Sequence, residues 1–223
     1  MRDGSEPGKL SETKQSEKWR GEFGKEYSKR NLLGPEDLDE VYQRNYGVTR
    51  TALNRRFLAD IPRSAAILEV GCNFGNQLIL LKQMGFENLI GVEINKEIVE
   101  KAHSRVPWAT VMEGSALKIP FDDASFDLVF TSGLLIHIAP RDLPVAMNEI
   151  HRCAKRWIWG FEYCAPQMTE VVYRGQSGLL WKANYAHLYA QSFPDLELVL
   201  EQRLKYLEND NVDSMFLLHS KGQ

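Results

Sequence analysis

The chain has 223 residues, of which 43% are hydrophobic, 26% charged and 10% aromatic, a globular composition that excludes global disorder and is long enough for one substantial core. With 27 Lys and Arg against 30 Asp and Glu the formal charge is −3, so no bulk field draws the protein to nucleic acid or to an anionic membrane. Cys72, Cys153 and Cys164 are odd in number, lack C-x-x-C spacing and have no His at zinc-finger distance, which points to reduced thiols, no metal site and a cytoplasmic setting. The N-terminus lacks the apolar stretch of a signal peptide, and the run from Leu128 to Pro140 is too short to span a bilayer.

In chain order, residues 1–15 are rich in Gly, Ser, Lys and Glu and are expected to form a disordered tail. Residues 16–60 read as two or three helices, with Trp19, Phe23 and Tyr27 at spacing four and Gly34-Pro35 as a stop and restart. Residues 61–223 then alternate. Strands are expected at Ala65–Val70, Leu89–Glu93, Ala109–Met112, Phe126–Phe130 and Arg156–Phe161, with helices at Gln77–Met84, Lys96–Arg105 and Leu143–Ala154. Such alternation builds right-handed βαβ units, hence a parallel sheet with helices on both faces. Only residues 207–213 separate the last two strands, Leu196–Tyr206 and Ser214–His219, so the sheet should end in one antiparallel strand.

Ligands of open α/β sheets sit outside the carboxyl ends of the strands, beside the first one. There Gly71 permits a tight turn, Asn73 tolerates the left-handed region, and Gly75 lets the next helix pack on the sheet. Glu93 ends the second strand, where a carboxylate can accept hydrogen bonds from both hydroxyls of a ribose. The nucleoside belongs to a dinucleotide or to S-adenosylmethionine. The sequence lacks G-x-G-x-x-G and any Tyr-x-x-x-Lys pair, and Glu69 puts a carboxylate where a diphosphate would be repelled and an ammonium stabilised. The charge argument favours the cationic cofactor.

The motifs E-V-G-x-N-x-G, V-E-I-N, G-S-A-L-x-x-P-F and F-D-L-V-F, in that order, resemble the class I S-adenosylmethionine-dependent methyltransferases. More narrowly, Trp19–Asn31, the Gly71–Gly75 loop, Gly133–Ile138, Glu149–Cys153 and the Tyr173-Arg174-Gly175 and Leu180-Trp181-Lys182 stretches look like the methylases associated with pseudaminic acid biosynthesis. The resemblance implies a Rossmann-like sheet of seven mostly parallel strands with the last antiparallel, an N-terminal helical lid, and an acceptor-site insertion at about 163–192. It implies cofactor contacts from Glu69, Gly71, Asn73, Gly75, Glu93, Ile94, Ser115, Ala116 and Thr131, with S-adenosylhomocysteine as product. Two departures stand out: Ser115 replaces the Asp that often binds the adenine amino group, and Ala183-Asn184-Tyr185-Ala186 lacks the subfamily's acidic residue.

On the acceptor side, His137 follows the fourth strand and reads either as a general base or as a structural histidine bonded to a loop carbonyl. Tyr173, Arg174 and Lys182 lie in the insertion, where two cations and a phenol suit a carboxylate or phosphate, or else form a solvated face. Tyr27 and Arg30 are candidate lid residues. The expected activity is methyl transfer to a small, polar, anionic metabolite, with neither nucleic acid nor membrane as partner. The alternative is a catalytically idle cofactor-binding module, and the oligomeric state is left open.

Overall fold

The computed structural model describes residues 13–221. Most of the expected tail, residues 1–12, lies outside the described residues. Thr13 to Gln15, which composition assigned to the tail, instead open a helix. Thr13 is its N-cap: its hydroxyl accepts from Ser16 N at 3.1 Å, and the Ser16 hydroxyl accepts from Thr13 N at 2.8 Å.

Four helices, rather than two or three, precede the sheet: α1 (Lys14–Arg20), α2 (Glu22–Arg30), α3 (Pro35–Tyr46) and α4 (Arg50–Phe57). The additional break falls at Gly21, in extended backbone, which turns α2 back against α1. Gly24 makes that corner possible, because a Cβ there would lie 1.8 Å from the Trp19 carbonyl oxygen.

Alternation then runs β1 (Ala66–Val70), α5 (Asn76–Gln83), β2 (Asn88–Glu93), α6 (Lys96–Arg105), β3 (Thr110–Glu113), β4 (Phe126–Ser132), α7 (Leu143–Cys153) and β5 (Ala154–Tyr163). A two-stranded ribbon, β6 (Thr169–Glu170) with β7 (Trp181–Lys182), follows, then α8 (Tyr185–Ser192), β8 (Leu196–Lys205) and β9 (Val212–Ser220). The main sheet has the order β3-β2-β1-β4-β5-β9-β8. β9 is antiparallel to both neighbours and sits between β5 and β8, so the reversed strand is last in the chain but interior in the sheet. The Rossmann-like expectation otherwise holds.

The central strands are apolar on both faces, as a sheet covered on both sides requires. Ile67 and Leu128, paired across β1 and β4, enter one core with Leu53, Phe57, Leu78 and Phe130; their successors Leu68 and Val129 enter the other with Ile150 and Ile158. Among the described residues no helix is long and apolar enough to cross a membrane.

Candidate active site

The turn after β1 carries three residues with positive φ: Gly71 (76°), Asn73 (51°) and Gly75 (77°). Its first two residues are pinned by Gly71 N and Cys72 N, which both donate to the Val92 carbonyl at 2.7 and 3.0 Å. At this φ any side chain is strained, and a Cβ on Gly71 would come within 2.7 Å of Leu134 Cδ1, which would have to move. The Glu93 carboxylate, at the end of β2, accepts from Asn73 N and Asn95 N at 3.0 Å each. Burial raises its pKa, and the backbone N–H groups of Asn95, Asn73 and Ile94 counter part of that rise.

A cavity of about 350 Å³ opens at this carboxyl edge. Glu69, Gly71, Asn73, Glu93 and Ile94 line it, as do Ser115 and Ala116 after β3, His137 after β4 and Tyr27 of α2. Glu69 is 3% exposed, its Oε2 has no hydrogen-bond partner, and burial pushes its carboxyl well above the usual range. Asn73 Oδ1 is likewise buried without a partner. The Ser115 hydroxyl accepts from Leu117 N at 3.2 Å, which fixes the loop and leaves its proton to donate.

Helices α1 and α2 close the cavity from above. Asn95 Nδ2 donates to Arg20 O at 2.9 Å, and Asn76 Nδ2 to Asn31 O at 2.7 Å. Gln15 spans the loop after β4, donating to His137 O at 2.5 Å and accepting from Ala139 N at 2.7 Å. His137 is buried against Trp19 and Tyr27, with ring centroids at 4.4 and 5.3 Å. Its Nδ1 lies 2.9 Å from Leu179 O, so Nδ1–H donates and Nε2 carries no proton. Burial lowers its pKa to about 4.

Six expected site residues do not line the cavity. Gly75 acts one step away, as the left-handed N-cap of α5, where a Cβ would lie 3.1 Å from Val106 Cγ1. Thr131 is buried with its hydroxyl bonded to Glu162, and its neighbours Ser132 and Gly133 face the cavity instead. Arg30 is exposed at the end of α2. Tyr173 packs behind His137, centroids 5.9 Å apart, and Arg174 is exposed with its guanidinium 5.9 Å from the Tyr173 ring. Lys182 is bonded to Asn211 Oδ1 and lies 5.8 Å from the Tyr163 ring centre.

Other residues form the cavity's far end. Asp213, at the start of β9, is paired in register with Tyr163 at the end of β5. It is 1% exposed; its Oδ2 accepts from the hydroxyls of Tyr46 and Tyr206, the latter at 3.1 Å, and its Oδ1 has no partner. Burial raises its pKa to about 6. Tyr42, Tyr46, Phe161, Tyr163 and Tyr206 complete this end. Glu162, buried beneath, accepts from Leu134 N at 3.2 Å and Ile136 N at 3.4 Å, clamping the turn that carries His137. Counting residues 207–213 as a connector hid Asp213, since the strand begins at Val212.

Four carboxylates line the cavity, those of Glu69, Glu93, Asp142 and Asp213, while no Lys or Arg does among the described residues. The nearby Arg50 is fully buried, bonded through Nε to Asn54 and through NH1 to Tyr42, and covered by Phe161 at 4.6 Å. Among the described residues no group of three or more His, Cys, Asp or Glu could hold a metal ion.

Residues 68–156 match the family model described as a methyltransferase domain. An uncharacterized methyltransferase of Synechocystis sp. is 32% identical over 89 residues, covering 40% of this chain and 42% of the relative. The demethylmenaquinone methyltransferase of Chlorobaculum tepidum is 29% identical over 111 residues, covering 50% and 45%. The chain spans 38–57% of the length of the first curated relatives it matches. A solved structure described as a SAM-dependent methyltransferase of Methanosarcina mazei shares the fold with a TM-score of 0.63 at 14% identity, over 77% of this chain and 98% of that one. The matched segment is thus a methyltransferase domain, and the solved neighbour shares the fold of the chain around it.

Proposed function

We propose that the protein transfers a methyl group from S-adenosylmethionine to a small-molecule acceptor. The observation that carries this reading is the pair of buried carboxylates, Glu69 and Glu93, in one cavity beside a tight turn whose Gly71 sits in left-handed backbone. The unpaired Glu69 oxygen suits the methionyl ammonium, which would restore its charge to a paired state. Glu93, its remaining lone pairs open, suits the ribose hydroxyls, and Ser115 with the Ala116 N–H suits the adenine edge. When bound, the cofactor supplies an electrophilic methyl on a sulfonium. The chain's own contribution is alignment and exclusion of water: Trp19, Tyr27 and Gln15 hold the lid and the His137 turn over the cavity.

His137 acts in this reading as an ordering residue, because Nδ1 is committed to Leu179 and burial leaves the ring a weak base. Kinship to the methylases associated with pseudaminic acid biosynthesis rests on the sequence stretches that resemble them. The anionic acceptor expected from Arg174 and Lys182 loses support, since both side chains stand outside a cavity lined by carboxylates. Incubation with methyl-labelled S-adenosylmethionine and a small-metabolite extract tests the reading. Label should pass to a low-molecular-weight product with stoichiometric S-adenosylhomocysteine; tight cofactor binding without turnover on any extract would favour the idle module.

A further inference from the structure

The far end of the cavity holds a carboxylate with half of its hydrogen-bonding capacity unused. Asp213 Oδ2 is saturated by two phenols, and Oδ1, also buried, meets nothing. A buried polar oxygen without a partner is destabilising, more so when charged, so a ligand that supplies the missing donor is favoured there. The surroundings specify what kind of donor. Tyr42, Tyr46, Phe161 and Tyr206 form a continuous ring cluster, with centroid distances of 5.3 Å (Tyr42–Tyr46), 5.2 Å (Tyr42–Phe161) and 4.8 Å (Tyr46–Tyr206). Ring faces and a carboxylate both attract a cation.

The protein's own cations fill this role only in part. Arg50 already covers the Tyr42 and Phe161 rings, at 5.3 and 4.6 Å, and both it and Lys182 stabilise the Asp213 charge through space, but Arg50 bonds Asn54 and Tyr42, Lys182 bonds Asn211, and neither ion-pairs with Asp213 among the described residues, which leaves Oδ1 and the Tyr46 and Tyr206 rings for a ligand. We infer that Asp213, with Tyr46 and Tyr206, forms an acceptor subsite for an ammonium group, so the methyl acceptor is a small amine-bearing molecule rather than an anion. This inference rests on the methyltransferase reading and names the substrate class of the same cavity. The sheet places the subsite suitably: Tyr163 ends β5 and Asp213 lies in the adjacent β9, on the side of the sheet away from Glu93 and β2.

The test uses the full chain saturated with S-adenosylhomocysteine, titrated with three matched probes: phenethylamine, 2-phenylethanol and 3-phenylpropionate. Phenethylamine should bind at least tenfold more tightly than 3-phenylpropionate, and more tightly than the alcohol. In Asp213→Asn the amide oxygen can keep both phenol bonds while the charge is lost. That variant should retain its melting temperature and S-adenosylhomocysteine affinity, and lose the preference for the amine. Equal binding of all three probes, or preference for the carboxylate, would overturn the inference, and preference for the alcohol would replace the ammonium with a neutral donor. If Asp213→Asn does not fold, the rank order on the wild-type protein alone decides. Failure to bind S-adenosylhomocysteine would bring down the methyltransferase reading and this one together; binding it while refusing the amine would bring down this one alone.

Discussion

At the scale of single residues, the site combines buried carboxylates that the sequence exposed with others that it concealed. Glu69 and Glu93 were legible because each sits at a fixed offset from a glycine turn or a strand end. Asp213 was not, because its importance comes from Tyr46, 167 positions earlier in the chain, and no local pattern encodes that meeting. Glu93→Ala removes both acceptors of the Asn73 and Asn95 N–H groups and should weaken S-adenosylhomocysteine binding roughly tenfold to a hundredfold, for a loss of ~1.5 to 3 kcal/mol. Glu93→Gln, which keeps one acceptor, should lose less; calorimetric titration of both variants checks the order. Glu69→Gln replaces a carboxyl whose ionised form burial and the nearby Glu93 disfavour and Arg50 only partly offsets, so the ligand-free protein should melt no lower than wild type while its affinity for the product falls.

His137 gives a pH prediction with a definite sign. Its pKa of about 4 lies below the ordinary 6.5, so between those values the unfolded chain binds a proton that the folded chain refuses. Stability therefore rises with pH across that window, by roughly 3 kcal/mol from this ring. Replacing His137 by Gln, which can still donate to Leu179 O, should flatten this part of the stability profile in urea titrations between pH 4 and 7. A variant as steep as wild type would show that other groups dominate.

Among the elements, the alternating core was readable because parallel strands buried on both faces appear as short apolar runs, such as Ile67-Leu68 and Leu128-Val129-Phe130. The lid was read less accurately. Trp19, Phe23 and Tyr27 keep helical spacing across Gly21, so periodicity alone runs α1 and α2 together, whereas the corner depends on the close approach of Gly24 to the Trp19 carbonyl. The β6–β7 ribbon has two residues per strand, too few for any period to register. Gly24→Ala should open the α1–α2 corner: amides of α1 and of the 137–139 loop should lose hydrogen-exchange protection, while the β1–β4 core keeps its own. Unchanged protection in α1 would mean that the corner accommodates a side chain.

For the whole molecule, the topology explains why distant chain segments share one cavity. Strand order β3-β2-β1-β4-β5-β9-β8 lines up the Ser115, Glu93, Glu69, Gly133 and Tyr163 loops along one edge, and the reversal of β9 brings its first residues, Val212 and Asp213, to that same edge. The charges on that edge are acidic, which suits a cofactor carrying a sulfonium and an ammonium and does not suit a diphosphate. The central claim is therefore a choice of cofactor, and calorimetry decides it. Titrating S-adenosylmethionine, S-adenosylhomocysteine and NAD into the wild-type protein should give saturable one-to-one binding of the first two and none of the third. NAD binding without S-adenosylmethionine binding would contradict the account.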